Sequence, residues 1–287
     1  MAAWMSLSEA VAAFVHDGSY VALEGFSHLI PFAAAHEIIR QGRRNLSLVR
    51  MTPDVIYDQM IGAGCASSLM FSWGGNPGIG SLHRFRDAVE NGWPAPLTIE
   101  ERSHSDLSNA WVAGAANLPF AVLRGYTGSD LPRVNPNIRT ITCPFTGEQL
   151  AATPAVRPDV TIIHAQKADS KGNVLLWGIL GVQKEAVLAA KHAVVTVEEK
   201  VNSLDAPPNA CVLPSWVIDA VCLVPRGATP SYAHGYYSRD NAFYWRWDAI
   251  SRERESFCAW VKEHILNTAD VGEYLRVLAE SSRQVLS

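Results

Sequence analysis

Tyr20-Val21-Ala22-Leu23-Glu24-Gly25-Phe26-Ser27-His28-Leu29-Ile30-Pro31-Phe32 is the stretch on which the architecture turns. A short apolar run, Tyr20 to Leu23, has strand character, and a segment from about Phe32 to Arg40 reads as a helix. A strand that opens through glycine onto a helix start leaves backbone N–H groups unpaired at the positive end of the helix dipole. Such a place holds an anion or a carbonyl oxygen. What the stretch lacks is equally informative. Ser27 has a hydroxyl, but the nucleophile elbow G-x-S-x-G requires glycine where Leu29 stands. The reading is a charge-stabilising loop with no attacking group of its own.

The same strand-to-helix alternation continues outward. Ser6 to Phe14 carries apolar residues at helical spacing and turns at His16-Asp17-Gly18. Further strands are expected at Leu46 to Arg50, Ser68 to Trp73, Leu97 to Glu100, Val160 to His164 and Ala193 to Val197. Helices are expected between them at Val55 to Gly62, His83 to Glu90, Ser105 to Gly114 and Leu180 to Lys191, with Asn91-Gly92 as a stop. This rhythm predicts an α/β fold, an open and mostly parallel sheet flanked by helices. Parallel sheets place ligands at the carboxyl ends of their strands. Gly25-Phe26, Met51-Thr52, Gly74-Gly75-Asn76 and Glu100-Glu101 all fall there. Residues 120–158, rich in proline and glycine, read as an irregular excursion. The chain reads as one unit over 1–287, with 240–287 a C-terminal helical packing tail.

Composition limits the classes of function. Of 287 residues, 48% are hydrophobic and only 18% charged, below the roughly 25% charged residues usual in soluble domains. Together with nine tryptophans, this reads as a large core or, the favoured reading, as surface covered by a partner chain, where aromatic residues concentrate. A net charge of −4 argues against nucleic-acid binding, which needs a basic face. No apolar run reaches the ~18 residues of a membrane span. The first residues include Glu9 and Asp17, and no Lys or Arg precedes Arg40, unlike a secretory signal. Five scattered cysteines without a C-x-x-C pair read as free thiols of a cytoplasmic protein.

Several groups are candidates for chemistry. Gly74-Gly75-Asn76-Pro77-Gly78-Ile79-Gly80 fits neither G-x-G-x-x-G nor a Walker loop. It reads as a tight turn or as a backbone platform for an acyl or phosphopantetheine arm. Glu90 before Asn91-Gly92 is a helix end with a carboxylate. Glu24 faces either a site or a neighbouring helix. Glu100-Glu101-Arg102-Ser103-His104-Ser105-Asp106 packs acids, a base and hydroxyls after a strand; alternation sends Glu100 and Glu101 to opposite faces. Ser105, with Asp106, has the character of a helix cap. His28 and His104 form a candidate proton-handling pair. Arg124 and Arg133, flanking Gly128-Ser129-Asp130, offer cations for a dicarboxylate. No metal-ligand spacing is present.

Taken together, several stretches resemble the A-type subunits of class I CoA-transferases. They are residues 21–31 of the opening stretch, Leu48-Val49-Arg50-Met51-Thr52-Pro53-Asp54, Phe71-Ser72-Trp73-Gly74-Gly75-Asn76-Pro77-Gly78 and Gly128-Ser129-Asp130-Leu131-Pro132. His164-Ala165-Gln166-Lys167-Ala168-Asp169-Ser170-Lys171-Gly172-Asn173 and Tyr232-Ala233-His234-Gly235-Tyr236-Tyr237 complete the set. The resemblance implies the CoA-transferase type of open α/β sheet and a heterodimer or heterotetramer with a homologous B-type subunit. It implies no permanently bound cofactor, a coenzyme A thioester as substrate, and a nucleophilic glutamate supplied by the B-type partner. Succinyl-CoA as donor and the dicarboxylic oxo acid 3-oxoadipate as acceptor are the first choice, within bacterial degradation of aromatic compounds. On this view Gly25 and Phe26 form the oxyanion-stabilising wall. Ser27, His28, Thr52, Gly74, Gly75, Asn76, Glu100, Ser103, His104, Gly128 and Ser129 contact substrate. The alternatives are a ring-cleaving CoA-thioester hydrolase of the same scaffold and a non-enzymatic ligand-binding α/β module.

Overall fold

The structure, a computed structural model, describes residues 2–126 and 128–284. Its main sheet contains β1 (Ala3–Trp4), β2 (Tyr20–Glu24), β3 (Leu46–Val49), β4 (Ala66–Phe71) and β5 (Thr98–Glu101). A smaller sheet is made of β6 (Phe120–Leu123), β7 (Arg139–Thr142) and β8 (Gln149–Pro154). The main sheet resumes with β9 (Val160–Asp169), β10 (Val174–Leu176), β11 (His192–Val201), β12 (Cys211–Leu213) and β13 (Ala220–Leu223). Its order is β1-β13-β11-β9-β2-β3-β4-β5, parallel along that whole path, with β10 and β12 as an antiparallel flap on β9. Apart from β1 at the edge, chain order runs outward from β2 in one direction and from β9 in the other. The topological switch therefore lies between β2 and β9, where an open α/β sheet forms its ligand crevice.

The helices are α1 (Leu7–Phe14), α2 (Phe32–Arg40), α3 (Val55–Gly62), α4 (His83–Asn91), α5 (His104–Ala115), α6 (Leu131–Val134) and α7 (Gln183–Ala189). After them come α8 (Asn241–Arg252), α9 (Arg254–Val261), a π-helical turn at Lys262–Leu266, and α10 (Val271–Gln284). Strand alternation divides the core. Val21 and Leu23 of β2 join α1–α4 and the C-terminal helices on one face, while Ala22 and Val49 join α5 and α7 on the other. Both faces of the sheet are thus buried, as a parallel sheet requires.

The structure differs from the sequence reading at two elements. Within 120–158 the expected excursion holds the three-stranded antiparallel sheet β6-β8-β7. Strands β9 and β11 each run ten residues, about twice the length read from the apolar cores Val160–His164 and Ala193–Val197. The extensions carry polar residues (Gln166, Lys167, Asp169, Glu198, Glu199, Lys200), which hide strand character in a pattern-based reading. The stop at Asn91-Gly92 is present: Gly92 takes the left-handed conformation (φ +68°) that ends α4. Among the described residues no helix is long and apolar enough to cross a membrane.

Candidate active-site cleft

The ends of β2, β3, β4 and β5 enclose a cleft of ≈ 320 Å³. The loop after β2 contributes Phe26 and Ser27, and β3 is followed by Arg50, Thr52 and Asp54. The β4–α4 loop brings Trp73, Pro77 and Gly78, and the first turn of α5 brings His104. A larger cavity of ≈ 590 Å³ lies between α4 and the α8–α9 junction. Its arginines are engaged with carboxylates: Arg86 with Glu90, Arg252 with Asp248, and Arg84 and Arg254 with Asp87. The strand-end cleft, where sheet topology directs ligands, is the candidate site.

Arg50 organises its floor. The guanidinium is buried, and it meets Asp54 at 2.9 and 3.4 Å and donates to the Gly25 carbonyl at 2.6 Å. Asp54 also caps α3, accepting the Ile56 N–H. One ion pair therefore ties the exit of β3 to the loop after β2. Glu24 makes a second tie, since its buried carboxyl accepts the Met51 N–H at 3.0 Å. Burial pushes that carboxyl up to about 7, against the lowering effect of Arg50. Arg50, Asp54 and Trp73 were not singled out from sequence as site residues. A signal for the first two existed: an arginine closing an apolar strand with an aspartate four residues later.

The loop after β2 is tightly folded. A side chain on Gly25 would place its Cβ 2.7 Å from the Leu29 carbonyl oxygen and 2.9 Å from that of His28, so only glycine fits. Ser27 and Leu29 both take positive φ (57° and 53°), which for buried, bulky Leu29 is a strained conformation. Residues 227–237 clamp it. Leu29 N–H donates to Tyr232 O, Ser231 Oγ to Ser27 O, and His234 N–H to His28 Nε2 at 2.8 Å. The start of α2 is closed as well: Ala33 N–H donates to Gly227 O and Phe32 N–H to Ile30 O. Among the described residues, the N–H groups of Phe26 and Ser27 meet no backbone carbonyl.

The other candidates separate into two groups. Phe26, Ser27, Thr52 and His104 come together around the cleft. His28 is fully buried with its ring against Tyr232, and burial lowers it to about 4; it is thus a neutral acceptor, not hydrogen-bonded to His104. His104 bonds Ser72 instead. Asn76 is buried, and its side-chain amide donates to Tyr244 O of α8. The Trp73 ring lies over Gly75, and Gly74 leaves room for a side chain. Glu100 pairs with Arg102, and Ser103, not Ser105, caps α5 by accepting the Asp106 N–H. Gly128 and Ser129 lie in an exposed turn beside the small sheet. Exposed Glu90 pairs with Arg86, Arg124 with Glu148, and Arg133 with Asp130.

An open parallel sheet with a strand-end cleft, whose one carboxylate among the described lining residues is locked in an ion pair, is the framework of an acyl- or acid-binding α/β protein. A family model described as Coenzyme A transferase matches residues 4–223, and the chain belongs to that family. It is 69% identical to the A-type subunit of 3-oxoadipate CoA-transferase from Pseudomonas knackmussii, over 98% of this chain and 99% of the relative. The crystal structure of glutaconate coenzyme A-transferase from Acidaminococcus fermentans superposes with a TM-score of 0.88 at 33% identity, covering 97% of this chain and 93% of that one. The structure of a variant of the decarboxylase AibA/AibB follows with a TM-score of 0.78 at 29% identity, covering 91% and 98%.

Proposed function

We propose that this chain is the A-type subunit of a heteromeric CoA-transferase that passes CoA from succinyl-CoA to 3-oxoadipate, with the nucleophilic glutamate supplied by its B-type partner. The observation that carries the reading is the state of the cleft's carboxylates. Asp54, the one carboxylate among its described lining residues, is locked to Arg50 and capping α3. Glu24 is sealed behind the wall. A transferase using a carboxylate nucleophile must take it from elsewhere.

The chemistry assigns this chain a supporting role. A partner carboxylate oxygen attacks the thioester carbonyl, and the C–S bond breaks to give a mixed anhydride and CoA thiolate. The thiolate then attacks the glutamyl carbonyl of the anhydride, releasing the donor acid and leaving a glutamyl thioester. The acceptor acid takes the CoA through the same steps reversed. Negative charge develops on carbonyl oxygen at each addition, and a carboxylate is a weak nucleophile unless desolvated. The Phe26 and Ser27 N–H groups are the donors for that oxygen. Thr52 and the Pro77-Gly78 turn border the space for the acyl chain, with Phe26 and Trp73 at its rim. The five free cysteines support a reducing, cytoplasmic location.

The test is to mix the chain, with and without its B-type partner, with succinyl-CoA and 3-oxoadipate, and to trap the glutamyl thioester with borohydride. Transfer should require both chains, with the label on the partner. Production of 3-oxoadipyl-CoA by this chain alone, or a label on Glu24 or Glu90, would overturn the assignment.

A further inference from the structure

We infer that His104 receives a carboxylate of the acid substrate at Nε2, and that Ser72 fixes which ring nitrogen does so. The inference rests on the reading of the cleft as half of a CoA-transferase site. Ser72 Oγ lies 2.6 Å from the Met51 carbonyl oxygen, a separation two oxygens hold only with a hydrogen between them. A hydroxyl has a single hydrogen, so Ser72 is an acceptor toward His104 Nδ1, 2.9 Å away. Nδ1 therefore keeps its hydrogen whether the ring is neutral or charged. A proton gained by the imidazole goes to Nε2, the nitrogen left for the cleft. Neutral, Nε2 presents a lone pair that repels carboxylate; protonated, it makes a charge-assisted hydrogen bond.

The surrounding charges support this assignment. Arg50 is the permanent cation among the described lining residues, and it is closed on Asp54 and the Gly25 carbonyl. On the side of α5, Arg102 is paired with Glu100, and Asp106 is occupied by the hydroxyls of Tyr126 and Thr153. An incoming carboxylate thus finds its uncommitted basic side chain, among the described lining residues, in His104.

The experiment uses the two-chain complex and measures KM for 3-oxoadipate and for succinyl-CoA from about pH 5.5 to about pH 8.5, across the range in which histidine changes charge. Wild type should show KM for the acid rising with pH, and KM for succinyl-CoA, whose acyl group also ends in a carboxylate, rising with it. His104→Gln should raise the acid KM at the low end roughly tenfold or more and flatten its pH dependence, with kcat less affected. Ser72→Ala, which frees the ring to take either tautomer, should fall between. Histidine 15N NMR of the complex gives a readout independent of turnover. Nδ1 should stay protonated throughout, and Nε2 should titrate and respond to 3-oxoadipate alone. An unchanged acid KM and slope in His104→Gln, or titration at Nδ1, would overturn the inference while leaving the transferase reading intact. Absence of CoA transfer by wild type would overturn that reading, and the NMR response would still decide the role of His104.

Discussion

Glu24 ends β2 with its carboxyl sealed from water, raised by burial from 4.5 to about 7. The folded state therefore binds a proton that the unfolded chain releases over that interval. Stability from this group is full below about pH 4.5 and is lost as pH rises through about 7, by up to roughly 3 kcal/mol. Glu24→Gln keeps an acceptor for the Met51 N–H without the charge. Urea unfolding should find the variant gaining on wild type as pH is raised across that window; parallel curves would place the proton elsewhere. Gly25 answers to geometry instead. Gly25→Ala drives a methyl into the carbonyls of Leu29 and His28 and shifts the Phe26 and Ser27 N–H groups. Transferase kcat per folded molecule should fall about 100-fold or more, the scale associated with ångström displacements, and the melting temperature should fall with it, because both contacts are with backbone. The sequence showed a strand opening through glycine onto a helix, but the need for glycine comes from the fold of the loop, which brings the Leu29 and His28 carbonyls back onto Gly25. The Arg50–Asp54 lock was not legible, because nothing local says that the guanidinium crosses to the Gly25 carbonyl.

At the scale of elements, the parallel strands and their helices were legible because both faces are buried and the apolar runs are continuous. The small sheet β6-β8-β7 was not. Its outer strand Arg139–Thr142 is largely exposed and polar, and the turns between strands dominate the local signal. The tip of the glycine loop shows the same limit. Asn76 has the look of a ligand-binding residue, yet its amide reaches α8, a distant part of the chain, while Arg239 donates to Pro77 O. The loop is thus held from behind by the C-terminal segment, leaving Pro77 and Gly78 to face the cleft. Asn76→Ala removes the amide that ties the loop to the Tyr244 carbonyl, which keeps its helical partner within α8, and should cost about 0.5–1.5 kcal/mol by urea unfolding. Activity should fall further than the loss of folded protein explains. Full activity at full occupancy of the fold would show that the loop keeps its place without α8.

At the scale of the whole molecule, the C-terminal helices are joined to the core that carries the cleft. Phe243, Trp247, Phe257 and Trp260 pack with Val55, Ile56 and Met60 of α3 in one apolar cluster. Asp58 forms the polar centre of the same junction, accepting the Arg84 and Phe85 N–H groups of α4 and the Trp247 Nε1–H. Burial raises this carboxyl to about 6 even with those donors in place, so each of them matters to its ionised form. If the tail were an independent unit, it would melt separately, and loops near the cleft would survive it. The packing predicts the reverse: one cooperative transition, with tryptophan fluorescence and far-ultraviolet dichroism coincident in urea. Two substitutions separate the forces. Trp247→Phe keeps most of the apolar contact but strands Asp58 by one donor, for a loss of about 1–3 kcal/mol that grows as pH rises through about 6. Trp247→Ala adds a cavity and should lose roughly 3–5 kcal/mol. Both variants should still unfold in a single step. A biphasic curve, with the dichroism change trailing the fluorescence change, would show that residues 240–287 fold apart from the sheet.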